Sequence, residues 1–244
     1  MFGVKTKIKN FIQQEVRQTL AELVCPSPPP LPDPLAGVYD ILARRHNLAH
    51  TIRTKIPTAP DGSPIPWYTF PAIEYFRTLD ARGLYLFEYS CGHSTLFWAR
   101  KGANIWCVEH NPEWYETMYV QAAAFNGIML REEKVGYANA VHEPNIYFDI
   151  ISIDGVWRNE CAVEALKCLK PGGIIILDNS DWYTDVAQML RNNNFFQVDF
   201  NGFGPCNDYC WTTSLMLPMQ SYLMSRWRQP APIGGICVQK DDRW

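Results

Sequence analysis

The chain has 244 residues, of which 47% are hydrophobic and 19% charged, and its net charge is −3 at pH 7. This length suits one α/β domain with appendages rather than two separate domains. A net acidic chain lacks the basic face that binding to a nucleic-acid backbone requires, so no nucleic-acid partner is expected.

The N-terminal segment differs in composition from the rest of the chain. Residues 1–24 place apolar side chains at helical spacing, which predicts an amphipathic helix. Six prolines between Pro26 and Pro34 follow and predict a stiff, extended connector. We therefore expect an appendage at residues 1–36 and the main domain at 37–244. The helix is expected to pack on its own domain or to form a homodimer contact, with a membrane-surface role as the alternative.

A second helical segment is predicted from roughly Leu35 to Arg53, before a turn-rich loop. No apolar run approaches the ~20 residues that a transmembrane helix needs. No secretory signal precedes the eight cysteines, so we expect reduced thiols in a soluble, cytoplasmic protein. Cys206 and Cys210 form a close pair, but two cysteines alone are an incomplete zinc site.

Beyond residue 84, predicted strands and helices alternate, which indicates a parallel sheet with right-handed crossovers. Helices are expected between the first six of seven strands, and the strands are predicted at 84–88, 104–109, 129–135, 148–153, 173–178, 195–201 and 211–217. The last two are joined only by residues 202–210. Because a parallel return needs a longer crossover, they should pair as an antiparallel hairpin.

The run FEYSCGHST contains the turn after the first strand. Glu88 lies at the strand end, and the small residues Ser90, Gly92 and Ser94 lead into a helix that begins near Thr95. Small residues let a nucleotide-type ligand approach the backbone, where unpaired amides at the helix start face it. Ser94 and Thr95 also suit helix capping without ligand contact, which is the alternative.

Three further features accompany this turn. Glu109 ends the second strand, about where a carboxylate accepts both hydroxyls of a ribose. The runs FDIISIDG and CLKPGGIIILDNSD then follow. With these motifs, the chain from about Trp67 to Leu217 resembles the class I S-adenosylmethionine-dependent methyltransferases. The resemblance implies an α/β, three-layer Rossmann-like methyltransferase fold: a seven-stranded, mostly parallel sheet with an antiparallel last strand.

The resemblance also implies a set of cofactor-binding residues, with S-adenosylmethionine as the cofactor. The family's acid and its three small residues correspond to Glu88, Ser90, Gly92 and Ser94, so two of the usual glycines are serines here. A serine held at positive φ costs on the order of 1 kcal/mol. Further contacts are expected from Thr95, Glu109 and Asp154.

Two tyrosines complete the predicted cofactor site. Tyr137 stands where many relatives carry an acid after the third strand; it is expected to stack or hydrogen-bond there, or merely to cover the sheet edge. Tyr68 precedes the first strand, in a segment that closes over the cofactor in related enzymes. It is expected to contact the carboxylate or sulfonium side, with a role as a core aromatic as the alternative.

Polar residues also end the fourth and fifth strands. Asp154 follows the fourth strand and Asp178 and Asn179 the fifth, so parallel strands would open all three on one crevice. Such oxygen ligands suit Mg²⁺, and they resemble the metal site of the family's metal-dependent O-methyltransferases. Metal-free members also carry an acid at the position of Asp154, so the metal stays open. Arg158, too basic for a general base, is expected to clamp an anionic substrate or to form a surface salt bridge.

These residues predict methyl transfer to a small-molecule acceptor, at a hydroxyl oxygen rather than a nitrogen, with Asp154 and Arg158 in the catalytic positions. A catalytically degenerate binding or scaffold protein with the same fold is the alternative. A nicotinamide-dependent oxidoreductase is disfavoured by the incomplete glycine pattern and by the terminal hairpin. Residues 204–211, within that hairpin, either line the substrate entrance or serve only as a turn.

Overall fold

The computed structural model describes residues 33–229 and 231–235. The predicted N-terminal helix, most of the proline-rich connector and the homodimer contact expected of that helix lie outside the described residues. The chain divides into two units between Val38 and Tyr39, and the fold described below belongs to the second. Within the described ranges, no helix is long and apolar enough to cross a membrane.

A seven-stranded sheet forms the centre of the domain. Its strands are β1 (Tyr85–Tyr89), β2 (Asn104–Glu109), β3 (Gly127–Leu130), β4 (Phe148–Ile153), β5 (Leu169–Asp178), β6 (Phe195–Phe203) and β7 (Cys210–Pro218). They are arranged in the order β3-β2-β1-β4-β5-β7-β6. Neighbours among β1 to β5 are parallel, whereas β7 runs antiparallel to both β5 and β6. The predicted fold class and terminal hairpin are thereby confirmed.

Helices precede the first strand and occur between later ones. They are α1 (Asp33–Tyr39), α2 (Leu48–Thr54), α3 (Phe70–Arg77), α4 (His93–Arg100), α5 (Pro112–Tyr119), α6 (Lys134–Asn139), α7 (Arg158–Cys168) and α8 (Thr184–Asn192). A π-helical turn covers Asp40–Arg45, and short 3₁₀ turns cover Ala122–Ala124, Ala140–His142 and Tyr222–Arg226.

Two predicted boundaries were wrong. The single helix expected from Leu35 to Arg53 is interrupted at Asn47, whose φ is 61° and whose side chain donates to the carbonyl of Thr58 at 3.0 Å. Asparagine adopts this left-handed conformation more readily than most other residues do. The third strand was expected at 129–135 but spans Gly127–Leu130, and the residues from Lys134 belong to α6 instead.

Strand residues alternate between two apolar layers, one on each face of the sheet. Leu86 and Ile150 belong to the layer formed with α3 and α4. Phe87 and Ile151 belong to the opposite layer, formed with α6, α7 and α8. This alternation follows from the two-residue period of a strand, and it produces the predicted three-layer architecture.

The strand order places a crevice at a defined point. From β1 the chain moves outward to β2 and β3, then returns to place β4 on the other side of β1. In open parallel sheets, a crevice forms outside the carboxyl ends of the strands where the order reverses. The fold therefore directs a ligand to the ends of β1 and β4.

Candidate functional site

A cavity of about 470 Å³ lies at the carboxyl ends of β1, β4 and β5, and its volume is typical of a small-molecule site. Six residues predicted from the sequence line it: Ser90, Gly92, Ser94, Asp154, Asp178 and Asn179. Asp154, Asp178 and Asn179 do converge on one crevice, as expected. The other predicted residues do not line the cavity: Tyr68, Glu88, Thr95, Glu109, Tyr137 and Arg158.

The turn after β1 is held by hydrogen bonds from its own residues. Thr95 donates its hydroxyl to Glu88 Oε2, and the same hydroxyl oxygen accepts from the Gly92 amide at 2.9 Å. Ser90 is left-handed, with φ at 97°, as the serine-for-glycine replacement predicts. Glu88 Oε1 is buried without a hydrogen-bond partner. Thr95 therefore fastens the turn to the strand, and one carboxylate oxygen beneath it is left unpaired.

Above this turn the backbone is open. A Cβ built on Gly92 would meet nothing within 4 Å, and the φ of −176° at Gly92 is ordinary extended backbone. The amides of His93, Ser94 and Thr95 open α4 and have no acceptor within the helix. A polar or anionic ligand group resting on Gly92 would accept from these amides. The turn thus offers a place for a polar or anionic ligand group.

Glu109 lies behind the turn and is 3% exposed. Its Oε1 accepts from the amides of His110 and Asn111, both at 2.8 Å, and its Oε2 accepts from the Cys91 amide at 3.3 Å. The carboxylate consequently shapes the turn and the start of α5. Its contact with a ribose stays a prediction.

Neither predicted tyrosine reaches the cavity. Tyr68 is fully buried, and its hydroxyl bonds Ser152 in β4 at 2.6 Å, so the cofactor contact expected of it is replaced by a core position. Tyr137 is also fully buried, and its hydroxyl lies where a Cβ on Gly155 would be only 2.0 Å away. The Tyr137 ring packs against those of Tyr89, His110 and Trp157, and its hydroxyl has no hydrogen-bond partner. Its contact with a cofactor stays a prediction.

Asp154 and Asp178 both line the floor of the cavity, at the ends of β4 and β5. Burial raises the pKa of Asp154 to about 7, and burial together with the charge of Asp154 raises the pKa of Asp178 well above its usual range. Asp178 Oδ1 also accepts from Trp211 Nε1 at 3.1 Å and from Thr213 Oγ1 at 2.5 Å. The pair can accept a proton near neutral pH, which an exposed aspartate cannot do.

Arg158 is buried and faces the protein rather than the cavity. Its Nε donates to the Gly155 carbonyl at 2.8 Å, Nη2 to Asp154 Oδ1 at 3.2 Å, and Nη1 to the Asp178 carbonyl. The guanidinium joins the ends of β4 and β5, so the expected anion clamp and the surface salt bridge are both corrected. Arg158 acts instead on the charge and position of Asp154.

The donor set at the floor does not fit the magnesium ion that the sequence left open. Across the described part of the chain, no group of three His, Cys, Asp or Glu residues is placed to hold a metal. Asp154 Oδ1 and Asp178 Oδ1 already accept from neighbouring donors, and the Arg158 cation adjoins Asp154. A divalent ion there would be repelled by Arg158, so no step below depends on a metal.

Aromatic side chains form much of the remaining lining, and sequence reasoning largely missed them. They are Trp67, Trp114, Trp182, Tyr209 and Trp211, and Lys55 and Ile56 also line the cavity. For residues 204–211 the sequence allowed two roles, lining of the substrate entrance or a simple turn. The structure places Asn207, Tyr209 and Trp211 in the cavity lining. The signal available in the sequence was the tryptophan and tyrosine content of the segments near the strand ends.

Replacing Glu88 with glutamine should raise stability at alkaline pH. Burial raises the pKa of Glu88 from its ordinary value of 4.5 to about 7, so stability present below pH 4.5 is lost as pH rises through 7. Glu88→Gln carries no charge and should be more stable than the wild type by roughly 1–3 kcal/mol at pH 8, with little difference at pH 4.5. Thermal unfolding at both pH values measures this.

The matched control is Glu132→Gln, because Glu132 is exposed. This variant should unfold with the wild type at both pH values. A Glu88→Gln variant that is equally stabilised at pH 4.5 and pH 8 would contradict the buried-charge explanation.

No family model and no curated protein matches this chain. Among solved structures, a methyltransferase from Geobacter sulfurreducens is similar at 14% identity and a TM-score of 0.46, covering 84% of this chain and 96% of that one. A precorrin-6y C5,15-methyltransferase from Geobacter metallireducens is 15% identical, with a TM-score of 0.46 and coverages of 61% and 87%. A methyltransferase-like protein from Silicibacter pomeroyi is 17% identical, with a TM-score of 0.44 and coverages of 70% and 93%.

Proposed function

We propose that the chain is a methyltransferase that uses S-adenosylmethionine and methylates a hydroxyl oxygen of a small molecule. One observation carries the proposal. A single cavity at the point where the strand order reverses joins the open turn at Gly92 to the proton-accepting carboxyl of Asp154. Its volume suits a cosubstrate and an acceptor of modest size.

The residues of the turn would hold the cofactor. Gly92 leaves the space, the first amides of α4 would bind the carboxylate of the methionine part, and Glu109 is the candidate for the ribose. When bound, S-adenosylmethionine supplies an electrophilic methyl carbon, whose C–S bond breaks as a C–O bond forms and S-adenosylhomocysteine is left.

The chain itself contributes position and one proton acceptor. The walls of the cavity would hold the acceptor hydroxyl in line with the methyl group, and such alignment supplies much of the acceleration in transfers of this kind. Asp154 would take the hydroxyl proton, and Arg158 would keep its carboxyl in place.

A binding or scaffold protein that lacks transfer activity is the second candidate. Ser90 in a left-handed conformation and Glu109 engaged with three backbone amides favour it, because both differ from an open glycine turn with a free ribose acid. The buried pair Asp154 and Asp178 argues against a scaffold protein. Burying two carboxyl groups destabilises a fold, and a protein without catalytic chemistry would gain nothing from it.

Transfer of a labelled methyl group tests the proposal. The protein is incubated with methyl-labelled S-adenosylmethionine and a panel of hydroxylated and amino compounds, with magnesium or with EDTA. Label should move to hydroxylated compounds, at rates that EDTA leaves unchanged. Binding of S-adenosylmethionine without transfer to any compound would favour the scaffold candidate, and loss of transfer in EDTA would contradict the metal-free mechanism.

A further inference from the structure

Among the exposed aromatic rings that line the cavity are those of Trp182, Tyr209 and Trp67. The exposed fractions are 58% for Trp182, 45% for Tyr209 and 37% for Trp67, and Trp211 lies beneath them at 2%. We name these four residues the aromatic wall. Large apolar rings gathered at one opening mark a ligand surface more than a core, because burial would stabilise them and they are left in water.

The rings of the aromatic wall are held in place. Tyr209 lies with its ring centroid 6.3 Å from that of Trp182 and 5.9 Å from that of Trp211. With its amide oxygen turned toward them, Asn207 accepts from Trp67 Nε1 and from the Tyr209 hydroxyl, both at 3.2 Å. Trp211 is tied to Asp178 at the floor. A wall fixed before binding loses little side-chain entropy when a ligand arrives.

The backbone around the mouth is strained. Lys55, Asn179 and Cys206 have φ values of 57°, 50° and 69°, and each lies in a segment that supplies lining residues. Lys55 Nζ donates to the Cys206 carbonyl at 2.6 Å, and the Cys206 amide donates to Thr51 Oγ1 at 3.1 Å. Such conformations persist where surrounding contacts enforce them, and they concentrate at binding sites.

Aromatic walls bind two kinds of ligand, quaternary ammonium cations and neutral flat rings. The charge at the cavity floor decides which of the two fits here. A quaternary ammonium group favours rings above a negative floor. Here Asp178 Oδ1 accepts from Trp211 and Thr213, the Arg158 cation is 3.2 Å from Asp154 Oδ1, and the Lys55 ammonium lines the mouth. The floor therefore offers no excess negative charge to a cation, and a neutral flat ring suits the wall better.

Building on the proposed function, we infer that the acceptor is a planar hydroxylated aromatic molecule, such as a phenol or a hydroxylated heteroaromatic. Its ring would lie on the aromatic wall, with its hydroxyl directed to Asp154 at the floor. Stacked or edge-on ring contacts supply the affinity, and the distance from wall to floor selects where on the ring the hydroxyl stands.

Calorimetry with the full chain tests this inference. The wild type is first fully loaded with S-adenosylhomocysteine. It is then titrated separately with 2-naphthol, with the non-aromatic analogue decahydro-2-naphthol, and with choline. The aromatic probe should bind at least tenfold more tightly than the other two. Trp182→Leu should weaken 2-naphthol about three- to tenfold and leave S-adenosylhomocysteine within twofold, because the ring is exposed and its loss leaves no buried void.

Tyr147→Leu is the control, because Tyr147 is 62% exposed and lies outside the cavity lining. Equal binding of the aromatic and saturated probes, tighter binding of choline, or equal effects of the two variants would overturn the inference while S-adenosylhomocysteine still binds. Failure of S-adenosylhomocysteine to bind the wild type would instead overturn the proposed function on which the inference rests.

Discussion

Asp154→Asn should lower the rate of methyl transfer by 10²- to 10⁴-fold, the usual contribution of a positioned proton acceptor. Asparagine keeps the shape of the side chain and still accepts from Arg158, but it cannot take a proton from an acceptor hydroxyl. Binding of S-adenosylhomocysteine should stay within threefold. Initial rates with a labelled methyl group, measured beside calorimetry, separate the two effects.

The dependence on pH gives the same prediction a second readout. Because burial raises the pKa of Asp154 to about 7, the wild-type rate should climb as pH rises through 7 and the carboxyl loses its proton. That rise should vanish in Asp154→Asn and persist in Asp61→Asn, whose side chain lies in an exposed loop. A rate within tenfold of the wild type in Asp154→Asn would exclude Asp154 as the base.

Gly92→Ala and Gly92→Val should lose affinity for S-adenosylmethionine in steps, about tenfold for alanine and a hundredfold or more for valine. A Cβ at Gly92 meets no protein atom within 4 Å, so the alanine methyl fits without a clash. The added atoms instead occupy the space in which a ligand would rest on the backbone. Calorimetric titration of each variant measures the loss.

The unfolding temperature shows whether a Gly92 variant has lost only its ligand-binding turn or has a damaged fold. Both Gly92 variants should unfold within about 2 °C of the wild type. In a chain of this length, such a difference corresponds to a change in unfolding free energy of less than about 1 kcal/mol. Gly37→Ala is the control, because a Cβ at Gly37 in α1 also meets nothing within 4 Å. Full affinity in Gly92→Val would show that the ligand does not rest on this turn.

Local pattern was enough to predict most of the fold. Apolar runs such as residues 148–153 read as buried strands, and their alternation gives the two faces that the structure shows at Ile150 and Ile151. The short connection after β6 predicted an antiparallel return, because no crossover fits in so few residues. The break at Asn47 was missed because it depends on a bond to Thr58, which no local pattern reveals.

Neighbouring side chains at the site were harder to assign. Trp67 and Tyr68 are adjacent, yet Trp67 lines the cavity while Tyr68 turns inward to Ser152. That choice depends on a partner far along the chain. The position of Arg158 was mispredicted for the same reason. Its burial depends on the carbonyl of Asp178, which lies at the end of β5. Sequence spacing placed the strand ends together but not the direction of each side chain.

Calorimetric titration of the wild type with S-adenosylmethionine and S-adenosylhomocysteine, with NAD as the control, tests the central claim most directly. The open turn at Gly92 predicts micromolar binding of the first two compounds and none of NAD. Absence of heat from both S-adenosyl compounds, or binding of NAD with similar affinity, would contradict the assignment of this cavity to methyl transfer.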